Sequence, residues 1–306
     1  MSTEVNARRT VTPAVTGSAP AARKKSLYPF WFCLPAAVIF SVFFVVPTFS
    51  SFFFSLTRWN LTDYEFIGLD NFANFFQEPA LVVGLKNTLI YAVVTCGLKV
   101  VLGILLAQLL TSQIIARGFL RSVAFFPVLV STIGVGLTFT VLMNPERGLI
   151  NQALGVVGID GPGWLTNPSL ALFSIALVDV WKGVGLATVI YIAGLVSIPQ
   201  EYYEAAEVDG ASRWNIFRNI MLPLARPATA TVITLSLIGG LRSFDLIWAM
   251  TKGGPGFASD VIASVIYKQY QAGFYGLSTA GSVVLFLVVT IIVVPLTWWL
   301  NRGEES

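Results

Sequence analysis

Ionisable residues inside long apolar segments are the side chains of this sequence that point most directly to chemistry. Asp179 and Lys182 lie three positions apart in one such segment, and Arg242 and Asp245 have the same spacing in another. On a helix, this spacing puts both members of a pair on one face, where they can neutralise each other. Ionisable groups within a membrane are costly, however, and they often line a water-filled path. Both interpretations stay open, and so does that of Lys99, which could face such a path or pair with an acid.

A second group of ionisable residues lies between two apolar runs, at about residues 197–227. Pro199 fits the first turn of a helix, and Glu201 and Glu204 lie near its N-terminal end, where the helix dipole favours anions. Gly210 can adopt a positive φ and end this helix, and Ser212 can cap the next one. We therefore predict a helix–turn–helix with an acidic surface. Because an anionic membrane leaflet would repel this surface, we expect it to contact a protein partner.

The sequence lacks the residue types on which most enzyme sites depend. It contains no histidine, which excludes a histidine triad, a histidine metal site and a histidine proton relay. It has no phosphate-binding loop of the GxxxxGK(S/T) type and no recognisable pair of nucleophile and base. We therefore predict no catalytic residue, no metal site and no cofactor on this chain. A net charge of +3 on so apolar a chain does not suggest a nucleic-acid partner.

The composition indicates which elements hold these residues. Hydrophobic residues make up 55% of the chain and charged residues 11%, whereas soluble domains carry about 25% charged residues. A soluble domain could not hide this much apolar surface from water. The apolar runs are long rather than alternating, so we predict an all-α membrane protein with six transmembrane helices. The predicted spans cover about residues 29–56, 87–110, 122–143, 169–196, 228–250 and 277–300.

Lysine and arginine residues predict the orientation of these spans. If the N-terminus is cytoplasmic, eleven of the nineteen basic residues lie in inside segments and five in outside segments. This excess places both termini in the cytoplasm. We predict a disordered cytoplasmic tail at residues 1–26, a membrane domain at 27–302 and a short cytoplasmic tail at 303–306.

The acidic segment carries motifs that resemble one family of membrane proteins. Glu204-Ala205-Ala206, followed by Asp209-Gly210-Ala211 and Leu222-Pro223, is similar to the EAA loop of permeases from binding-protein-dependent ABC importers. Three further motifs resemble the carbohydrate branch of that family: Trp181-Lys182-Gly183, Phe66-Ile67-Gly68-Leu69-Asp70-Asn71-Phe72 and Thr251-Lys252-Gly253-Gly254-Pro255. Within the permease pairs of that branch, they resemble the member that is like the maltose-system F subunit. The resemblance covers about residues 28–302.

The resemblance implies the type I ABC importer permease fold and a mode of coupling. The EAA-like helix would dock on a cytoplasmic ATPase subunit, and ATP and Mg²⁺ would be bound by two such subunits rather than by this chain. The residues implied in this coupling are Glu201, Glu204, Ala205, Ala206, Asp209 and Gly210. The other implied partners are a second, G-subunit-like permease, an extracytoplasmic substrate-binding protein and membrane lipid. The implied location is the bacterial inner (cytoplasmic) membrane, which the chain would cross several times.

The same resemblance implies a sugar path along the fourth and fifth spans. The residues expected there are Asp179, Lys182, Gly183, Leu186, Ser236, Gly240, Arg242, Ser243 and Asp245. Several amides of the maltose-type site are replaced, because Gly240 and Ser243 are smaller, and this argues against maltose itself. Gly183 and Gly240 could instead allow close packing of helices.

Two other functions remain as alternatives to a sugar importer. A glycerol-phosphate or polyol importer of the same family is one, because Lys182 and Arg242 could suit a phosphate. An ion-coupled secondary carrier is the other, but six spans without a visible inverted repeat or a proton-relay carboxylate argue against it.

Overall fold

The computed structural model describes residues 30–112 and 114–302. The predicted tails at residues 1–26 and 303–306 lie outside these ranges, and so does the start of the predicted membrane domain at residues 27–29. The described chain is mostly helical and divides into two compact units, with the boundary between Pro47 and Thr48.

The described part of the first unit, from residue 30 onward, is one apolar helical run. It contains a 3-10 helix at Phe30–Cys33, helix α1 at Leu34–Phe40, a π-helical segment at Ser41–Val45 and the start of α2 at Val46–Phe54. A proline at position 47 cannot donate a backbone N–H to the preceding turn, and the π-helical segment lies directly before it. The run Trp31–Phe54 is long and apolar enough to cross a membrane.

The second unit contains thirteen further α-helices among the described residues. They are α3 (Asp70–Gln77), α4 (Pro79–Thr111), α5 (Arg117–Leu129), α6 (Thr132–Leu142), α7 (Leu149–Val156), α8 (Ala171–Val196), α9 (Gln200–Val208), α10 (Arg213–Ile216), α11 (Leu222–Leu224), α12 (Arg226–Leu241), α13 (Asp245–Met250), α14 (Ile262–Gln271) and α15 (Tyr275–Asn301). A π-helical segment, Phe217–Met221, joins α10 to α11. Four apolar helices could each cross a membrane alone, namely Trp31–Phe54, α4, α8 and α15, and there are up to six spans if each of two bent helix pairs counts as one.

The longest helix, α4, organises the second unit. Its 33 residues make it about 50 Å long, and it packs against both α8 and α12. Small residues bring the axes together: a Cβ added to Gly240 of α12 would lie 2.7 Å from the Cα of Ala92 on α4. Gly240 therefore allows close packing of α12 on α4.

Three predicted spans differ from the helices that form. The second span begins at Pro79 rather than residue 87, because proline suits the first position of a helix. The third span is a pair of helices, α5 and α6, which meet at an angle of 97°. Between them, Val130 is extended, and the Ser131 side chain accepts a hydrogen bond from the Gly134 N–H to start the second helix.

The predicted fifth span, residues 228–250, is also interrupted. Helix α12 ends at Leu241, and α13 starts only at Asp245. The break follows Gly239 and Gly240, and glycine is a poor helix former. The second bent pair involves this helix as well, since the segment Arg213–Leu224 meets α12 at 68°.

The all-α prediction misses a small antiparallel hairpin. Strand β1 (Thr57–Trp59) pairs with β2 (Tyr64–Phe66), so that Thr57 faces Phe66 and Arg58 faces Glu65. The exposed Arg58 and Glu65 side chains form a salt bridge of 3.2 Å across the hairpin.

The segment between α13 and α14 is held by a buried carboxylate. Asp260 has no exposed surface, and its Oδ2 accepts a hydrogen bond of 2.6 Å from Lys268 Nζ. Its Oδ1 accepts another from the Ser264 hydroxyl, at 2.7 Å. From α4, the Asn87 side-chain amide donates to the backbone carbonyls of Ala258 and Asp260, at 3.0 and 2.8 Å. This cluster ties the segment to α4 and α14.

Candidate functional site

The predicted helix–turn–helix forms at residues 200–224. Helix α9 follows Pro199 directly, and the chain turns at Gly210, which has a φ of +73°. The Ser212 hydroxyl then accepts a hydrogen bond of 3.2 Å from the Asn215 N–H and caps α10. The local signals that predict the turn and the cap therefore act as expected.

Helix α9 presents an acidic outer face and an apolar inner face. Glu201, Glu204, Ala205, Asp209 and Gly210 are all exposed. Within the described part of the chain, none of these carboxylates forms a salt bridge. The outer face therefore carries negative charge that nothing in the described chain neutralises.

The inner face of α9 is anchored to the chain's own core. Ala206 is only 9% exposed and packs with Ile216 and Phe217, so its side chain attaches α9 to the core and does not lie on the exposed face. Tyr203 packs against the same core, and burial raises the pKa of its phenol above the ordinary value. After the turn, Phe217 and Met221 are buried in the same core, whereas Trp214 is 65% exposed.

The same core reaches the ends of the long helices. Ile104 and Ala107 of α4, and Tyr191 and Leu195 of α8, belong to the cluster that buries Ala206. Packed side chains thus connect α9 to α4 and α8.

The expected Asp179–Lys182 pair does not form. The Nζ atom of Lys99, on α4, lies 2.8 Å from Asp179 Oδ2, on α8, and donates a hydrogen bond to it. Of the interpretations left open by the sequence, mutual neutralisation of Asp179 and Lys182 is therefore not observed, whereas Lys99 does pair with an acid, because it comes from the facing helix. Lys182 forms no salt bridge within residues 30–112 and 114–302.

The expected Arg242–Asp245 pair does not form either. Arg242 follows the last residue of α12, and Asp245 is the first residue of α13. The spacing argument requires one continuous helix, and residues 242–244 interrupt it. Both side chains are exposed, and neither has an ion-pair partner in the described residues.

The other residues expected along a path occupy different environments. Ser236 and Ser243 are half-buried, and Leu186 is exposed. Gly183 faces the side chain of Lys99, because a Cβ added there would lie 2.7 Å from Lys99 Cε.

One residue near this cluster has no counterpart among the predicted sites. The buried Tyr91 hydroxyl lies beside the side chains of Asp179 and Ser243 but forms no hydrogen bond of normal length within the described chain. Tyr91, Thr95 and Lys99 are spaced by four, which puts them on one face of α4. This four-residue spacing is the pattern in the sequence from which the position of Tyr91 beside Lys99 could have been predicted.

The described residues contain no group of three or more Cys, Asp and Glu side chains that could hold a metal ion. The geometry instead offers an exposed acidic helix at one end and an interhelical ion pair within the helix bundle.

Comparison with known proteins identifies the family. Residues 99–303 match the family described as "Binding-protein-dependent transport system inner membrane component". The trehalose/maltose transport system permease protein MalF of Thermococcus litoralis is 34% identical over 258 residues, which cover 84% of this chain and 88% of that protein. The arabinooligosaccharides transport system permease protein AraP of Bacillus subtilis is 32% identical over 272 residues, which cover 88% of this chain and 87% of that protein.

A solved structure agrees with the sequence comparisons. The crystal structure of a bacterial ABC transporter involved in the import of the acidic polysaccharide alginate contains a chain with a TM-score of 0.78 and 26% identity. The match covers 89% of this chain and 94% of that chain. The resemblance based on the EAA-like segment is confirmed. The chain belongs to the family of inner membrane components of binding-protein-dependent transport systems, and it is a permease subunit of an ABC importer.

Proposed function

We propose that this chain forms half of the translocation path of an ATP-driven sugar importer and that α9 couples it to a separate ATPase. Its partners are a second, G-subunit-like permease, two ATP-binding subunits that hold ATP and Mg²⁺, and an extracytoplasmic substrate-binding protein. The chain crosses a bacterial inner membrane six times, with both termini in the cytoplasm. In this arrangement, the bent pair of α5 and α6 forms one span, α12 with α13 forms the fifth, and the helix–turn–helix at residues 200–224 stays in the cytoplasm.

The observation that carries this proposal is the two-faced helix α9. Its outer face has exposed, unneutralised carboxylates, and its inner face is fixed by Ala206 to a core shared with α4 and α8. A separate protein with a basic groove could bind the outer face, and its movement would shift the membrane helices through that core. Such a lever converts closure of two ATPase subunits into a change of access to the path.

The side chains around Asp179 support a sugar as the substrate. Asp179 and Ser243 are polar side chains that can hydrogen-bond to the hydroxyl groups of a sugar. The two relatives named for trehalose/maltose and for arabinooligosaccharides favour a saccharide as well.

A second candidate substrate is glycerol phosphate or a sugar phosphate. Because the Asp179 carboxylate pairs with Lys99, the Lys182 ammonium group has no ion-pair partner among the described residues. Arg242 is exposed and also has no ion-pair partner among the described residues. These two cations favour an anionic group on the substrate.

Uptake by the reconstituted importer tests the functional class. The chain is placed in proteoliposomes with its partner permease, ATPase and binding protein, and uptake of labelled trehalose, arabinotriose and glycerol 3-phosphate is measured with and without internal ATP. ATP-dependent uptake of a saccharide is expected. Uptake that follows a proton or sodium gradient and ignores ATP would instead indicate a secondary carrier.

A charge reversal tests the role of α9 in the same system. Glu204→Lys is expected to abolish ATP-driven uptake while the protein stays folded in the membrane. Glu146→Lys, the same change at an exposed residue between α6 and α7, is the matched control and should leave uptake unchanged. Equal activity of the two variants would refute coupling through α9.

A further inference from the structure

Lys99 is buried within a membrane helix, where a lone ammonium group is strongly disfavoured. It lies in the middle of α4, its side chain is only 10% exposed, and its Nζ contacts Asp179 Oδ2 at 2.8 Å. A charged side chain at this depth is expensive and is a functional candidate unless a partner neutralises it. Asp179 is that partner, so Lys99 and Asp179 act together as an ion pair.

Helix α8 is shaped to receive this lysine. Asp179 and Gly183 are four residues apart and therefore lie on the same face, one turn from each other. A Cβ on Gly183 would lie 2.7 Å from Lys99 Cε and 3.0 Å from Nζ. The missing side chain thus leaves the space through which the lysine reaches the carboxylate.

The carboxylate is the accessible end of the pair. The side chain of Asp179 is 24% exposed, more than twice the fraction for Lys99. Lys99 occupies Oδ2, and the Asp179 carboxylate accepts no other hydrogen bond within the described chain. The partnerless Tyr91 hydroxyl and Ser243 lie in the same region. The second oxygen, Oδ1, therefore remains available to accept a hydrogen bond from a ligand.

We propose that Lys99 is a positioning residue for the transported saccharide: from the buried side, it holds the Asp179 carboxylate oriented so that Oδ1 accepts a hydrogen bond from a sugar hydroxyl. This proposal rests on the proposed function. Lys99 itself does not touch the substrate. The competing explanation is a purely structural tie between α4 and α8, for which only the presence of the ion pair matters.

Exchanging the two charges separates these explanations. The double variant Lys99→Asp/Asp179→Lys can keep an ion pair between α4 and α8 but moves the carboxylate to the buried side. A structural tie predicts that this exchange restores uptake kinetics, whereas positioning predicts that it does not. The neutral double variant Lys99→Met/Asp179→Asn leaves no unpaired charge, so it remains informative if the single variants do not fold. Lys86→Met, which removes an exposed lysine from the same helix, is the matched control.

The experiment measures initial uptake against external saccharide concentration in the complete importer, using whichever of trehalose or arabinotriose the wild type takes up. Both double variants are expected to raise KM by about tenfold or more, the loss typical of a hydrogen bond to a charged group, with a smaller change in the maximal rate. ATP hydrolysis and monodispersity of the purified complex should match those of Lys86→Met. A wild-type KM in either double variant would overturn the positioning role. Absence of ATP-dependent uptake of both saccharides by the wild type would instead overturn the proposed function, and this proposal with it.

Discussion

Substitution of Gly210 is expected to weaken the coupling of ATP hydrolysis to uptake. The size of the loss should depend on how well the new residue tolerates the left-handed backbone conformation at this position. Gly210 has a φ of +73°, and a Cβ added there would meet no atom within 4 Å. An alanine would therefore meet no steric obstacle, and its cost is that of the left-handed conformation, about 1–2 kcal/mol. That cost lowers the ratio of bent to unbent loops by roughly 5- to 30-fold. Asparagine should cost less, because it tolerates this conformation, and proline should cost most, because its φ is restricted to about −65°.

The assay is the number of saccharide molecules taken up per ATP hydrolysed by the reconstituted importer. The expected order of coupling is wild type, Gly210→Asn, Gly210→Ala and then Gly210→Pro. Gly155→Ala is the matched control, since Gly155 also has free space around it but does not have a positive φ. Normal coupling in Gly210→Pro, or the same loss in Gly155→Ala, would refute the role of this bend.

Three further predictions concern stability. Asp260→Asn should lower the free energy of unfolding by about 2 kcal/mol, because it breaks a buried ion pair with Lys268. Glu65→Gln, which breaks the exposed ion pair with Arg58, should lower it by less than about 1 kcal/mol. Thermal unfolding in detergent compares the two variants, and equal midpoints would contradict the importance of burial. Ser212→Ala should cost about 1 kcal/mol through loss of the α10 cap, which faster amide hydrogen exchange in α9 and α10 would reveal. Gly240→Leu should prevent normal packing of α12 on α4 and reduce the yield of folded protein, whereas Gly97→Leu, at a position on α4 without neighbours within 4 Å, should not.

Features with local causes were predictable from the sequence. The turn at Gly210 and the cap at Ser212 each depend on the conformational preference of one residue, so their positions follow from the residue types. Long apolar segments likewise predict membrane helices, although Pro79 extends α4 beyond its most apolar part.

Features that depend on packing between distant segments could not be predicted. Lys99 and Asp179 are 80 positions apart, and only the contact between α4 and α8 brings them together. The spacing that suggested an Arg242–Asp245 pair assumes a continuous helix, and the break after Leu241 removes that assumption. The burial of Ala206 beside exposed Ala205 depends on which face of α9 meets the core.

Photocrosslinking from α9 tests most directly whether this helix binds a separate ATPase. Benzoylphenylalanine is introduced at exposed Ala205 or, as a control, at exposed Glu146, and the assembled importer is irradiated with and without ATP. An adduct with the ATP-binding subunit is expected from position 205, with a yield that changes with ATP, and no adduct is expected from position 146. An importer that transports saccharide but gives no ATPase adduct from position 205 would contradict coupling through α9.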